Sequence, residues 1–246
     1  MAILWEKKQH GVLYQVRTAG KTRRLYADGV CHTQYHPDRI VTGSVWDLLL
    51  LPAFFLSPNK SKNVLMLGLG GGALVHLYQH FIKPDKITAV ELDSTHIYVA
   101  KRFFKLKQRS VDIVQGDAHA WLHKYRGPSF DIIIDDLFSH QDGIPRRAVD
   151  ANQSWFEVLA RNLNDQGLLV MNFADRQEFN ASAYKRYPDI SNRFRSVFQF
   201  SNRLLENRIV TFSKVKLESS EFRANLKEIP ELDPKRNMPF SVRNLK

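Results

Sequence analysis

The run Val64-Leu-Met-Leu-Gly68-Leu-Gly70-Gly71-Gly72-Ala73, followed by Ala89-Val90-Glu91-Leu92-Asp93, constrains this chain more than any other segment. It reads as a buried strand, a glycine turn, a helix and a second strand ending in a carboxylate. Gly68 permits the tight turn, and Gly70 lets backbone approach a ligand with no Cβ in the way. Ala73 is small enough for close helix–strand packing, which completes a G-x-G-x-x-A spacing. Glu91 falls roughly twenty residues on, where an acid bonding ribose hydroxyls is expected. Glycines after a strand can mark only a turn. With the strand before and the acid after, the unit predicts a nucleoside-cofactor site that includes Gly68, Gly70, Gly72 and Glu91.

Strands and helices alternate on either side of this unit, the pattern of a parallel sheet covered on both faces. Strands are predicted at 63–68, 86–91, 111–115, 130–135 and 168–173, with helices at 72–82, 94–104, 118–125 and 152–162. Residues 194–200 and 208–212 suggest a closing antiparallel pair. Before this region, residues 1 to about 40 read as short antiparallel strands, with Asp28-Gly29 as a hairpin turn. A helix with an apolar face is expected over 42–56. The expected organisation is therefore a β-hairpin region with a linking helix (1–57), a nucleoside-cofactor domain (58–213) and a basic, partly loose tail (214–246) in which Phe222 and Phe240 are the candidates to dock.

Hydrophobic residues make up 43% of the chain and aromatics 11%, ample for a core. The single cysteine, Cys31, excludes an intramolecular disulfide and a cysteine-rich zinc site. The first residues lack a signal-peptide apolar region, and the run Leu48 to Leu56 is broken by Pro52 and too short to span a bilayer. A soluble, cytoplasmic protein without a membrane partner is the expectation. The net charge of +11 suits an anionic partner such as nucleic acid, or is simply dispersed solvated charge, the favoured reading. A polycationic substrate is repelled at long range unless local acids overrule that field.

Acids follow successive predicted strands: Glu91, Asp117 and the pair Asp135-Asp136. All carboxyl ends of a parallel sheet lie on one edge, so acids distant in sequence converge there with the glycine turn. Each also has a purely structural alternative. Asp117 is placed to cap the helix beginning at Ala118, Asp135 or Asp136 to pair with Arg146 or Arg147, and Asp93 to cap the helix beginning at Ser94. His119 and His140 lie near the edge, but no pair has metal-ligand spacing, so no metal is expected. Ser139-His140 lacks the G-x-S-x-G elbow of a hydrolase.

Taken together, Leu25 to Val30, Val64 to Gly72, Val90 to Asp93, Gln115 to Ala118 and Phe130 to Asp136 resemble the spermidine synthase (polyamine aminopropyltransferase) family. Singly, most of these motifs are shared with class I methyltransferases. The resemblance implies a Rossmann-like, doubly wound, mostly parallel α/β sheet of the class I methyltransferase type with a small N-terminal antiparallel β domain. It also implies a homo-oligomer, with a dimer expected, and S-adenosylmethionine or its decarboxylated form as co-substrate. Glu91 would then bond the ribose, Asp117 with Ala118 the adenine, and Asp136 would accept a proton from the attacking amine, with Asp135 beside it in the cofactor site. An ammonium has no lone pair, so such a base is required.

The chain departs from the family in its glycine motif, which carries no aspartate. The segment Asp136-Leu137-Phe138-Ser139-His140 lacks the second aspartate and the proline, and no Tyr-His pair occurs between Asp38 and Pro52. Leu137 and Phe138 suggest an apolar slot, so the small-molecule acceptor is expected not to be putrescine. Methyl transfer is as compatible with these residues as aminopropyl transfer. Competing readings are a genuine aminopropyltransferase in which Asp142 or Asp175 replaces the missing acids, a nucleic-acid-binding protein, and a silent nucleoside-binding protein.

Overall fold

The computed structural model describes residues 1–57, 62–107, 109, 111–139, 143–233 and 238–246. An antiparallel meander opens the chain: β1 (Ala2–Gln9), β2 (Val12–Ala19), β3 (Thr22–Ala27) and β4 (Val30–Tyr35), in that spatial order. The turn at Asp28-Gly29 is as expected, with both residues at positive φ and the Asp28 carboxylate accepting from Leu13 N at 2.8 Å.

The linking helix divides in two. Helix α1 (Val45–Leu50) continues as a 3-10 turn over Leu51–Phe55, with Pro52 in the first turn where its missing N–H is least costly. Buried Asp47 gathers the backbone N–H groups of Thr42, Gly43 and Ser44 at 2.6–3.0 Å and so fixes where the helix starts.

The main sheet has eight strands: β5 (Asn63–Leu67), β6 (Lys86–Glu91), β7 (Asp112–Gln115), β8 (Phe130–Asp135), β11 (Leu163–Phe173), β12 (Ser196–Ser201), β13 (Arg208–Ser213) and β14 (Ser241–Asn244). A two-stranded ribbon, β9 (Phe138–Ser139) with β10 (Arg146–Arg147), follows β8. Spatial order is β14-β12-β13-β11-β8-β5-β6-β7. The pairs from β7 through β11 are parallel, and those among β11, β13, β12 and β14 are antiparallel.

Side-chain alternation decides which layer each residue joins. Val64, Met66, Ile132 and Ile134 pack on one face with α1 and the 3-10 turn, while Leu65, Leu67, Ile133 and Leu169 pack on the other with Trp155 and Phe156. Both faces are covered, hence the near-continuous apolar strands. Helices α2 (Ala73–Phe81), α3 (Ser94–Phe103), α4 (Ala118–Lys124) and α5 (Gln153–Asn162) fill the predicted gaps within a residue or two. Between β11 and β12 lie three short helices, α6 (Arg176–Ala181), α7 (Ala183–Arg186) and α8 (Pro188–Ser191).

Where it is described, the tail packs through Phe222, one of the two residues expected to dock. Helix α9 (Ser219–Lys227) buries Phe222 and Leu226 one turn apart, and Phe222 lies 4.9 Å from Phe55. β14 then extends the sheet along β12, from Phe198↔Asn244 to Ser201↔Ser241. So few apolar residues give no readable period; the exposed edge of β12 supplies the order.

Candidate active site

The sheet order reverses at β5, which lies between β6 and β8. A crevice therefore opens beyond the carboxyl ends of these strands, the usual ligand position in such sheets. A cavity of about 640 Å³ occupies it, within the range of small-molecule sites. Gly68, Gly70, Glu91, Asp117, Ala118 and Asp136 all line it, and the meander closes it through His10, Tyr14, Cys31 and His32.

The glycine turn is required sterically. Gly68 has φ +92°, and a Cβ there would run into the Asp136 carbonyl oxygen. Gly70 has φ +52°, and a Cβ there would come to 2.5 Å from the His32 carbonyl oxygen of β4. The Gly71 N–H donates to the buried Thr33 hydroxyl, which seats the turn on the meander. Gly72, at φ +83°, does not line the cavity and opens the path into α2 instead.

Glu91 is buried at the end of β6. Its Oε2 accepts from Leu69 N at 2.9 Å and Gly70 N at 3.0 Å, and its Oε1 accepts from Asp93 N at 2.9 Å. His96 of α3 lies 3.8 Å away through Nδ1. Burial alone would push the Glu91 carboxyl up, but the His96 ring and the backbone donors bring it down to about 2. Burial likewise opposes charge on His96, yet Glu91 and Asp93 raise its pKa. His96 lines the cavity, and its Nε2 is buried with no hydrogen-bond partner.

Asp117 and Asp93 do cap helices. Asp117 accepts from Ala120 N at 2.6 Å, and Asp93 accepts from Thr95 N at 2.7 Å and from the Tyr14 hydroxyl at 2.5 Å. Both also line the cavity, so cap and wall are one residue in each case.

The adjacent aspartates part company because neighbours on a strand point to opposite faces. Asp135 is fully buried and does not line the cavity, so the expectation of cofactor contact by its side chain meets a different arrangement. It pairs with Arg147 at 2.6 Å and accepts from the Trp155 indole at 2.8 Å. Asp136 faces the cavity. Burial pushes its carboxyl up to about 6, with Asp135 adding to the rise; hydrogen bonds from Asn172, at 2.7 Å, and from the Trp46 indole hold it back. The Asn172 amide oxygen accepts from Asn207 at 3.0 Å, which fixes the direction in which Asn172 donates.

Asn172, Asn207, Trp46 and His96 were not singled out from the sequence. Asn172 ends β11 on the same sheet edge as the acids, and a search for carboxylates passes over it; Asn207 carries no local signal. His119 stacks on Trp155, and Asp175 caps α6, accepting from Glu178 N at 2.8 Å. Neither lines the cavity, and His140 and Asp142 lie outside the described residues. Among the described residues no group of His, Cys, Asp or Glu is arranged to hold a metal, and no helix is long and apolar enough to cross a membrane. The described cavity lining includes four acids (Glu91, Asp93, Asp117 and Asp136) and no lysine or arginine, the reverse of the chain's net charge.

A Rossmann-like sheet carrying a glycine turn, a strand-end acid and a raised aspartate at one edge defines an α/β fold of the kind shared by spermidine synthases and class I methyltransferases. The chain belongs to the spermine/spermidine synthase domain family, whose model matches residues 48–215. It is 29% identical over 167 residues to a polyamine aminopropyltransferase of Chromobacterium violaceum, covering 66% of this chain and 58% of that one. It is 36% identical over 130 residues to an eEF1A lysine and N-terminal methyltransferase homolog of Drosophila pseudoobscura, covering 50% of this chain and 19% of that one. The chain thus spans less than two thirds of either relative.

Its fold is similar to that of a probable spermidine synthase from Corynebacterium glutamicum, with a TM-score of 0.74 at 18% identity over 99% of this chain and 91% of that one. A spermidine synthase in complex with the transition state analogue AdoDATO gives 0.71 at 15% identity, over 93% and 79%. Human methyltransferase-like protein 13 in complex with SAH gives 0.58 at 20%, over 74% and 86%.

Proposed function

We propose that this chain is a group transferase that takes S-adenosylmethionine or its decarboxylated form as co-substrate and alkylates a small-molecule acceptor other than putrescine. The observation that carries the reading is the single cavity shared by the glycine turn, Glu91, Asp117 and Asp136. The residues fit an adenosyl sulfonium. Gly68 and Gly70 line the cavity in a turn packed against Asp136 and β4, and Glu91 with His96 beside it would offer acceptor and donor to ribose hydroxyls. Ala118 and the Asp117 wall would take the adenine, and the acid-lined cavity suits a cation. When bound, the sulfonium supplies an activated carbon and a neutral thioether leaving group.

Asp136 would accept the proton of the acceptor nitrogen. A carboxyl raised to about 6 is ionised at neutral pH and still basic enough to take that proton, and Asn172 and Trp46 hold it in one direction. The named ligands of the AdoDATO and SAH complexes support the co-substrate class, and the two kinds of relative support both methyl and aminopropyl transfer. Asp135 contributes by fixing the strand end through Arg147. The same reading places the protein in the cytoplasm as a homodimer. Exposed Ile3 and Leu4 on β1 support self-association, and light scattering tests it.

Calorimetry with S-adenosylmethionine, decarboxylated S-adenosylmethionine and methylthioadenosine tests the co-substrate site. Binding of at least one in the micromolar range is expected; no binding of any would remove the reading.

A further inference from the structure

We infer that the acceptor is a monoamine, one basic nitrogen carried on an apolar body; the inference rests on the group-transfer reading above. Around Asp136 the cavity wall is built by Trp46, by Leu137 and Phe138 after β8, and by Pro145, Ala148 and Val149 on the return strand. Backbone bonds set this wall: Arg147 registers with Phe138 across the ribbon, and Ala148 N donates to Leu137 O at 2.9 Å. Arg147, between the wall residues Pro145 and Ala148, is turned inward, away from the cavity. Its guanidinium reaches Asp135 and, at 2.7 Å, the Asn172 carbonyl oxygen, leaving the apolar side chains to face the ligand space.

Among the described lining residues, Glu91, Asp93 and Asp117 belong to the adenosine end, so Asp136 alone can meet a cationic nitrogen on this side. The Asn207 amide donates to Asn172, and the Asn172 amide donates to Asp136. A diamine would bring a second ammonium against Leu137, Phe138 and Val149, where no carboxylate stands among the described residues to pair it. An alkyl or aryl substituent instead exchanges water for apolar wall.

In the step, the amine lone pair attacks the carbon beside sulfur. The C–N bond forms as the C–S bond breaks, the bonding pair leaves on sulfur as a neutral thioether, and one amine proton passes to the Asp136 carboxylate.

The test is steady-state alkylation of n-pentylamine, phenethylamine, putrescine and cadaverine with each co-substrate, alongside calorimetry of the co-substrates. The expected result is a kcat/KM at least about tenfold higher for the monoamines than for the diamines, the discrimination that a missing charge partner imposes. Introducing an acid by Ser139→Asp, or by Phe138→Asp should the first fail to fold, is expected to narrow that gap at least about tenfold. Preference for putrescine or cadaverine in the parent, or co-substrate binding with no monoamine alkylated, overturns the acceptor class while leaving the adenosyl site standing. Absence of co-substrate binding removes both readings.

Discussion

Asn172 donates to Asp136 across 2.7 Å while its own amide oxygen accepts from Asn207 at 3.0 Å. This chain of amides reaches from the loop before β13 through the end of β11 to the end of β8, so three distant segments set the direction of one carboxylate. A base held this way pays its ordering entropy on folding rather than at the moment of reaction. The arrangement separates what Asp136 does for activity from what it does for stability, and the two respond oppositely to mutation.

Asp136→Asn keeps the acceptor oxygen that Asn172 bonds and removes the base. Turnover is expected to fall by roughly 10²–10⁴-fold, with co-substrate affinity within a few-fold of the parent. The folded state raises this carboxyl to about 6, so its neutral form is favoured in the fold. That stabilising preference is complete below the unfolded pKa and is lost as pH rises through the folded one. The variant should therefore be more stable than the parent at pH 7 by about 1–3 kcal/mol, and equal to it near pH 3. Urea denaturation at the two pH values checks the sign.

The pH dependence of kcat/KM should show a rising limb with an apparent pKa near 6, since Asp136 must be ionised to accept a proton. Asn172→Ala removes a bond that favours the ionised form, and so moves the limb to higher pH. Asn207→Ala should move it in the same direction by less, because Asn172 then loses only its orientation. An unmoved limb in both variants would show that another group titrates.

Glu91→Gln should weaken co-substrate binding about tenfold or more and lower stability by about 1.5–3 kcal/mol, the range for hydrogen bonds to a charged group. The parent carboxyl is depressed to about 2, so the stability it contributes is present above the unfolded value and lost as pH falls through 2. Calorimetry and an acid-denaturation curve measure the two effects separately.

Gly68→Ala should lower stability by about 1–3 kcal/mol and abolish co-substrate binding, since it strains φ and drives a Cβ into the Asp136 carbonyl. Gly116→Ala, at a glycine with open space around its Cβ position, should be tolerated within about 0.5 kcal/mol. Thermal denaturation of the pair distinguishes a required turn from an incidental glycine.

Arg147→Met leaves Asp135 buried without its counter-charge, and should cost about 3–5 kcal/mol of stability. If Asp135 met the co-substrate directly, Asp135→Asn would chiefly weaken binding; its place beneath Arg147 and Trp155 predicts a loss chiefly of stability. Guanidinium melts with parallel calorimetry decide between them.

The sheet was legible in the sequence because parallel strands covered on both faces must be continuously apolar, and Val64 to Leu67, Ile132 to Ile134 and Leu168 to Met171 are. The acids at their ends were legible for the same reason, since one edge gathers every carboxyl terminus. Local sequence also set the helix caps at Asp93 and Asp117, which depend only on residues two or three positions away. Whether Asp135 or Asp136 meets the cavity was decided by strand alternation once β8 was seated between β5 and β11. The roles of Asn172, Asn207, Trp46 and His96, and the docking of α9 on the 3-10 turn and of β14 on β12, come from contacts between segments far apart in the chain. No local pattern encodes such contacts, because loop closure brings them together only when the core has formed.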